Sequence, residues 1–199
     1  MALLQVGAEA LGTPAIASMH PAVNRWVIPG WFSNGASAGV TPLAADTLYY
    51  QPIFVADTHT YAAIGIRVLA AVAAASTRLG VFNWASGLPG SLVQDCGTVA
   101  SATTGNKTIT VSIPITGPNF YFLAYISDQA ITVQGLDAAG QAMVSPVGGI
   151  AASVQGALFK VLLTVTGQTG VVADGFPPIA VTPTAAESAD DRVAVRLQE

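Results

Sequence analysis

Charge is scarce in this sequence. Asp, Glu, Lys and Arg make up 9% of its 199 residues, eleven acidic against seven basic, with a formal net charge of −4. The basic residues stand singly, so there is no stripe for a nucleic-acid backbone and no polybasic patch for a membrane surface. Cysteine is nearly missing too: Cys96 alone excludes an internal disulfide framework, and its strand context suits a small buried apolar residue. With two histidines, one cysteine and no His-x-His or Cys-x-x-Cys spacing, a zinc site would have to rely on carboxylates. The acids are scattered except for Asp190-Asp191, which reads as a solvated pair before the last strand. A glycosidase pair can lie far apart in sequence, but nothing here favours one. No metal or cofactor is expected.

Long apolar runs are also lacking. A membrane-spanning helix needs roughly 20 predominantly apolar residues. The stretch from Gln141 to Phe159 contains Pro146, Gly148, Gly149 and Gln155, and the dense run from Val68 to Ala75 is far too short. No membrane span is expected. The opening residues have no basic region and are interrupted by Glu9, so no signal peptide is expected either. No heptads for a coiled-coil shaft and no fixed-period repeat are visible.

What the chain does contain is apolar residues, 52% of the total, with 20 glycines and 12 prolines. Disordered chains are charged and poor in β-branched residues, so this composition argues against disorder. Ala, Gly, Val, Thr and Ser in this mix read as short strands joined by tight turns. Residues Met1 to Asn24 show no clean period and form a candidate N-terminal arm, apolar at Leu3, Leu4, Val6, Leu11 and Ile16. An apolar segment outside a core usually buries itself on a partner. Residues 25–199 then form one β domain.

Alternation supports the strands. Ile64, Ile66 and Val68 share a face, as do Leu79 and Val81. In "NKTITVSI", Ile109, Val111 and Ile113 face one way and Thr108, Thr110 and Ser112 the other, the mark of a strand with one solvated face. "NFYFLAYIS" is apolar on both faces and belongs at the centre of a sheet. Pro52 inside "TLYYQPIFV" predicts an edge strand or a bulge. Ala70 to Ala75 reads as strand end plus loop, and residues 137 to 156 as a long loop. A strand follows with Phe159, Val161, Leu163 and Val165 on one side. A final strand alternates Val193, Val195 and Leu197 with Ala194 and Arg196. The pattern predicts an all-β, jelly-roll-like antiparallel β-sandwich with an extended N-terminal arm.

Motifs with chemical potential fail on context. Gly35 to Gly39 matches G-x-S-x-G with Ser37 in the nucleophile position, but no helix pattern follows and Pro42 comes early. Asn106-Lys107-Thr108 fits a glycosylation sequon, yet Gly105-Asn106 reads better as the turn before a strand. Gly87-Leu88-Pro89-Gly90 lacks the following helix and lysine of a phosphate loop. It reads instead as a type II turn, with Pro89 and Gly90 at its centre. Aromatic rings remain as candidate glycan platforms, first among them Trp31, Trp84 and Tyr49, with Trp26, Tyr50 and Tyr61 behind. The chain is expected to be non-enzymatic.

The segment "RLGVFNWASGLPGSLVQDCGTV", followed by "GNKTITVSIPITGPNFYFLAYIS" and "RVAVRL", resembles a β-sandwich module of tailed-bacteriophage virions, of the tail-fibre, head-fibre and capsid-decoration type. Arg78-Leu79-Gly80-Val81-Phe82, Gly87 to Gly90, Asp95-Cys96-Gly97-Thr98-Val99 and Phe120 to Ala124 carry the resemblance. Gly117-Pro118 is inverted relative to the usual order. The likeness implies a virion location after assembly in the host cytoplasm, other capsid or tail proteins as partners, a homo-oligomer with trimers suggested by fibres, and no catalytic residues. A short chain with a single module favours a compact head fibre, capsid decoration or short tail-fibre component docked through its arm. A low-charge surface fits extensive coverage by partners. The alternative is a carbohydrate-binding module for host surface glycan, which would need a cleft of exposed rings with polar neighbours.

Overall fold

The computed structural model describes residues 26–27, 37–55, 57–137, 162–183, 185–187, 192–193 and 196–198. The elements in chain order are β1 (Trp26–Val27), β2 (Ser37–Pro42), β3 (Thr47–Val55), β4 (His59–Ala70), β5 (Ser76–Ala85), β6 (Leu88–Ala100), β7 (Gly105–Ile115), β8 (Asn119–Ser127), β9 (Thr132–Asp137), β10 (Leu162–Val165), one helical turn α1 (Val171–Asp174), β11 (Ala185–Glu187), β12 (Arg192–Val193) and β13 (Arg196–Gln198). The alternations described above translate into an all-β sandwich of two antiparallel sheets packed face to face.

The first sheet is built on β2-β9-β4-β7 and the second on β3-β8-β5-β6. The chain crosses between sheets at every connection from β2 to β9 except the β5–β6 hairpin. This winding is that of a jelly roll, in which two four-stranded sheets share one core. Consequently the β3–β4, β5–β6 and β7–β8 connections lie at one end of the sandwich. At its edges, β10 and β11 extend the second sheet beyond β3. In the first sheet, β13 pairs with β4 and β12 with β9, and β1 pairs with β13.

Alternation places each side chain. On β7, Thr108, Thr110 and Ser112 are exposed, while Ile109 and Val111 pack against the core and Ile113 is fully buried. The core between the sheets contains Tyr49, Ile53, Ile64, Ile66, Val68, Leu79, Val81, Cys96, Leu123, Tyr125, Val133 and Leu197. β8 lies between β3 and β5, and its Phe122, Ala124 and Ile126 are buried on the opposite face, as its doubly apolar sequence requires.

Two expectations are corrected. The β5–β6 turn is Ser86-Gly87, with φ of 51° and 91°, and not Pro89-Gly90. Two positive φ values fit a two-residue type I′ hairpin, whose twist matches the strands it joins. Pro89 pairs with Trp84 inside edge strand β6, where a missing N–H is tolerated. Pro52 marks no bulge: β3 pairs with β8 without a break, from Thr47↔Ser127 to Val55↔Asn119, and β10 flanks its other side at Leu48 to Tyr50. Pro52 lies beyond that described ladder of β10. The last strand is described in two parts, β12 on β9 and β13 on β4, and residues 194–195 between them lie outside the described residues. Phe159, Val161, Val195, Ala194, most of 137–156 and the arm 1–24 lie outside the described residues.

An aromatic row beside a clamped strap, the candidate functional site

The outward face of the second sheet is apolar as well. Leu48 and Tyr50 on β3, Phe82 on β5, Phe122, Ala124 and Ile126 on β8, and Leu163 and Val165 on β10 form a second buried cluster. Its cover is the segment Thr166–Pro183, which contributes Val172 and Phe176. The Phe176 ring meets Phe82 edge-on at 5.6 Å. It lies over Gly80, where a Cβ would come within 2.6 Å of the ring.

Polar groups fix this cover. Arg78 Nη1 donates to Asp95 Oδ2 at 2.7 Å, Nε donates to Val172 O at 3.0 Å, and Nη2 donates to Ala173 O at 3.3 Å. Asp95 Oδ2 also accepts the Phe176 N–H at 3.1 Å, and Oδ1 accepts the Gly97 N–H at 2.9 Å. A guanidinium bound to a carboxylate and two carbonyls is a charge-assisted clamp. Further along, Leu92 N–H donates to Pro178 O and Ala180 N–H to Gly90 O, so the segment pairs with the edge of β6. Arg78, Gly80, Asp95 and Gly97, which carry part of the sequence resemblance, thus have a structural role here.

The cover stops short of the β3–β4/β5–β6/β7–β8 end. There Phe54, Phe120 and Trp84 are half-buried. Phe54 and Phe120 are 5.1 Å apart, and Phe120 and Trp84 5.0 Å apart. Trp84 also stacks on Phe122 at 5.2 Å with planes 8° apart. Neighbouring polar groups are the exposed Asn119 and the half-buried Asn83, whose side-chain amide donates to Ser91 Oγ at 2.8 Å. Leu88 and Ile179 are exposed nearby on β6 and on the segment that pairs with it.

The candidates from sequence separate sharply. Trp84 belongs to this row. Tyr49 does not: it is buried between the sheets, stacked on Tyr125 at 5.2 Å, with its hydroxyl accepting the Ala44 N–H. Tyr50 and Tyr61 are fully buried. Alternation sends Tyr49 inward and Tyr50 outward under the cover, so none of the three offers a ring face to solvent. Trp31 and the arm residues Leu3, Leu4, Val6, Leu11 and Ile16 lie outside the described residues, and of Trp26 only the backbone is described. Phe54 and Phe120 were not singled out from sequence. Their signal was there in part: once β3 and β8 pair, Phe54 falls opposite Phe120.

Reactive groups sit in quiet surroundings. Ser37 opens a strand, not the turn into a helix that a nucleophile elbow needs. Cys96 is buried in the inner core; burial first, and the Asp95 charge second, push its thiol up to about 12, so it stays protonated at neutral pH. His59 packs its ring on Tyr61 at 5.0 Å. Among the described residues no group of three His, Cys, Asp or Glu side chains is placed to hold a metal, and no helix is long and apolar enough to cross a membrane. Comparison with protein-family models finds no match, and comparison with curated proteins finds none.

Proposed function

We propose that the chain is a non-enzymatic structural protein of a bacteriophage virion, a head fibre, capsid decoration or short tail-fibre component that docks through residues 1–24. The observation that carries this reading is the jelly-roll winding of β2 to β9, joined to the sequence resemblance. Viral capsid domains use this architecture, and the argument from fold is one of analogy. The scarcity of charge fits a surface that spends its life against partner proteins, and the expected state is a homo-oligomer on the particle. The test is to delete residues 1–24 and follow incorporation. The truncated chain is expected to fold and to stay off the particle; normal incorporation would overturn the reading.

A second reading, a carbohydrate-binding module for host surface glycan, is favoured by one observation: the half-buried Phe54–Phe120–Trp84 row with Asn83 and Asn119 beside it. Lectin domains also use jelly rolls. A ring contact contributes about 1 kcal/mol, so useful affinity requires many copies. Trp84→Ala should then reduce binding of particles to host cells far more than binding of the isolated chain. Equal binding by both variants in both forms would remove this reading.

A further inference from the structure

We propose that Thr166–Pro183 is a strap that opens as a unit from the second sheet while the sandwich stays folded, and that Arg78 and Asp95 are its latch. The inference goes beyond the function proposed above and does not depend on it.

The attachments of the strap are few and local. Its apolar anchors on the sheet are Val172 and Phe176, with Val171, Ala180 and Val181 packed at the margin. Its backbone is held by Gln168 N–H on Asp46 O near one end, and near the other by the Pro178 and Ala180 bonds to β6 and a bond of the Val181 backbone to the Tyr50 hydroxyl. Between them stands the latch, where one guanidinium and one carboxylate secure the carbonyls of Val172 and Ala173 and the N–H of Phe176. The sandwich is held very differently, by unbroken ladders such as β3–β8 and by a core sealed from both sides. Segments with few buried contacts and few ladder bonds open at lower free energy than the whole fold.

The geometry also explains why closure depends on the latch. Phe176 can seat its ring only because residue 80 has no side chain. Its N–H is oriented by Asp95, which is itself fixed by Arg78. The three positions Arg78, Gly80 and Asp95 come from adjacent strands β5 and β6, so the sandwich presents a finished receptor for the strap. Opening uncovers Tyr50, Phe82 and Phe122, making one apolar face continuous with the Phe54–Phe120–Trp84 row. The device therefore switches the size of the apolar face on the second sheet.

The test is native-state hydrogen exchange on the full chain, comparing the amides of Gln168, Phe176 and Ala180 in the strap and Leu92 beneath it with those of β8. In the unmodified protein the first group should exchange through openings that leave β8 protected. Asp95→Asn, which weakens a charge-assisted hydrogen bond, should speed the strap amides by about tenfold or more and leave β8 unchanged. Gly80→Ala should do the same from the other side by displacing Phe176. Asp128→Asn removes a carboxylate that accepts the Ser76 N–H away from the strap, and should leave strap exchange as it was. The proposal is overturned if strap and β8 amides share one opening in the unmodified protein, or if neither Asp95→Asn nor Gly80→Ala changes strap exchange selectively.

Discussion

The second sheet buries both of its faces, but by different means. Inward, Leu79, Val81, Leu123 and Tyr125 meet a whole opposing sheet. Outward, Phe82, Phe122, Ala124 and Ile126 meet one strap with a single helical turn. The side chains on the two faces are equally apolar and equally hidden, so burial alone does not distinguish them. What differs is the cover. A sheet closed by long ladders cannot yield without unfolding the molecule, whereas a strap can move away and let water in. Adjacent residues on β8 therefore stand in unlike environments: Leu123 points inward and Ala124 outward, and both are fully buried.

That pair gives the largest expected effect. Leu123→Asp places an unpaired charge between two sheets, at a cost of several kcal/mol, a large share of the stability of an ordinary domain. No soluble folded protein is expected. Ala124→Asp meets the strap instead. Its carboxylate can be hydrated by opening the cover, so the chain should still fold, show a β-rich circular dichroism spectrum and be cut by protease within 166–183. If both variants fail alike, the two faces are equivalent and the comparison collapses.

The sandwich was legible from alternation because period-two patterning reports which residues share a face. It gave β4, β7 and the central place of β8. Patterning says little about which buried face meets what. Tyr49 and Tyr50 are adjacent in sequence and alike in chemistry, yet one lies between the sheets and the other under the strap. The strap carries no alternation to mark it, since its anchors Val172 and Phe176 follow no period. Their partners, Arg78, Gly80 and Asp95, stand 81 or more residues from Phe176 and could be linked to the strap only through the fold. The hairpin was missed for a local reason: Pro89-Gly90 is a good type II signal, but Ser86-Gly87 supplies the positive φ pair that a two-residue hairpin needs. Of the candidate site, Trp84 was legible as a ring at the mouth of a turn, and Phe54 and Phe120 only through strand register.

A smaller effect is expected at that hairpin, where the outer aromatic row meets the sandwich. Gly87 holds φ of 91°. Gly87→Val puts a β-branched residue there, a conformation that costs roughly 1–2 kcal/mol or more. The melting temperature should fall by several degrees. Trp84 is three residues away, so its fluorescence should also show greater access to a soluble quencher. A lowered melting temperature with unchanged quenching would show that the row is held by its ring contacts alone, independent of the turn.

The smallest effect appears only in alkali and compares the faces through their acidic hydrogens. Cys96 lies in the inner core and Tyr50 in the outer cluster. Burial pushes the thiol of Cys96 up to about 12, and pushes the hydroxyl of Tyr50 well above the ordinary tyrosine range, opposed by a bond to the Val181 backbone. In both cases the folded state keeps a proton that the unfolded chain gives up sooner. The associated stability is fully present below the unfolded values, about 8.5 for cysteine and 10 for tyrosine. It is lost as pH rises through the folded ones, at up to about 1.4 kcal/mol per pH unit for each group. Cys96→Ala should therefore flatten the decline of global stability above about pH 9, with little change in slope at neutral pH. Tyr50 should behave otherwise, because its cover is the strap. Strap opening lets its phenolate form in a chain that is still folded. Tyrosinate absorbance lost in Tyr50→Phe should accordingly develop at lower pH than global unfolding monitored by circular dichroism. If it develops only together with unfolding, the outer face is sealed as firmly as the inner one.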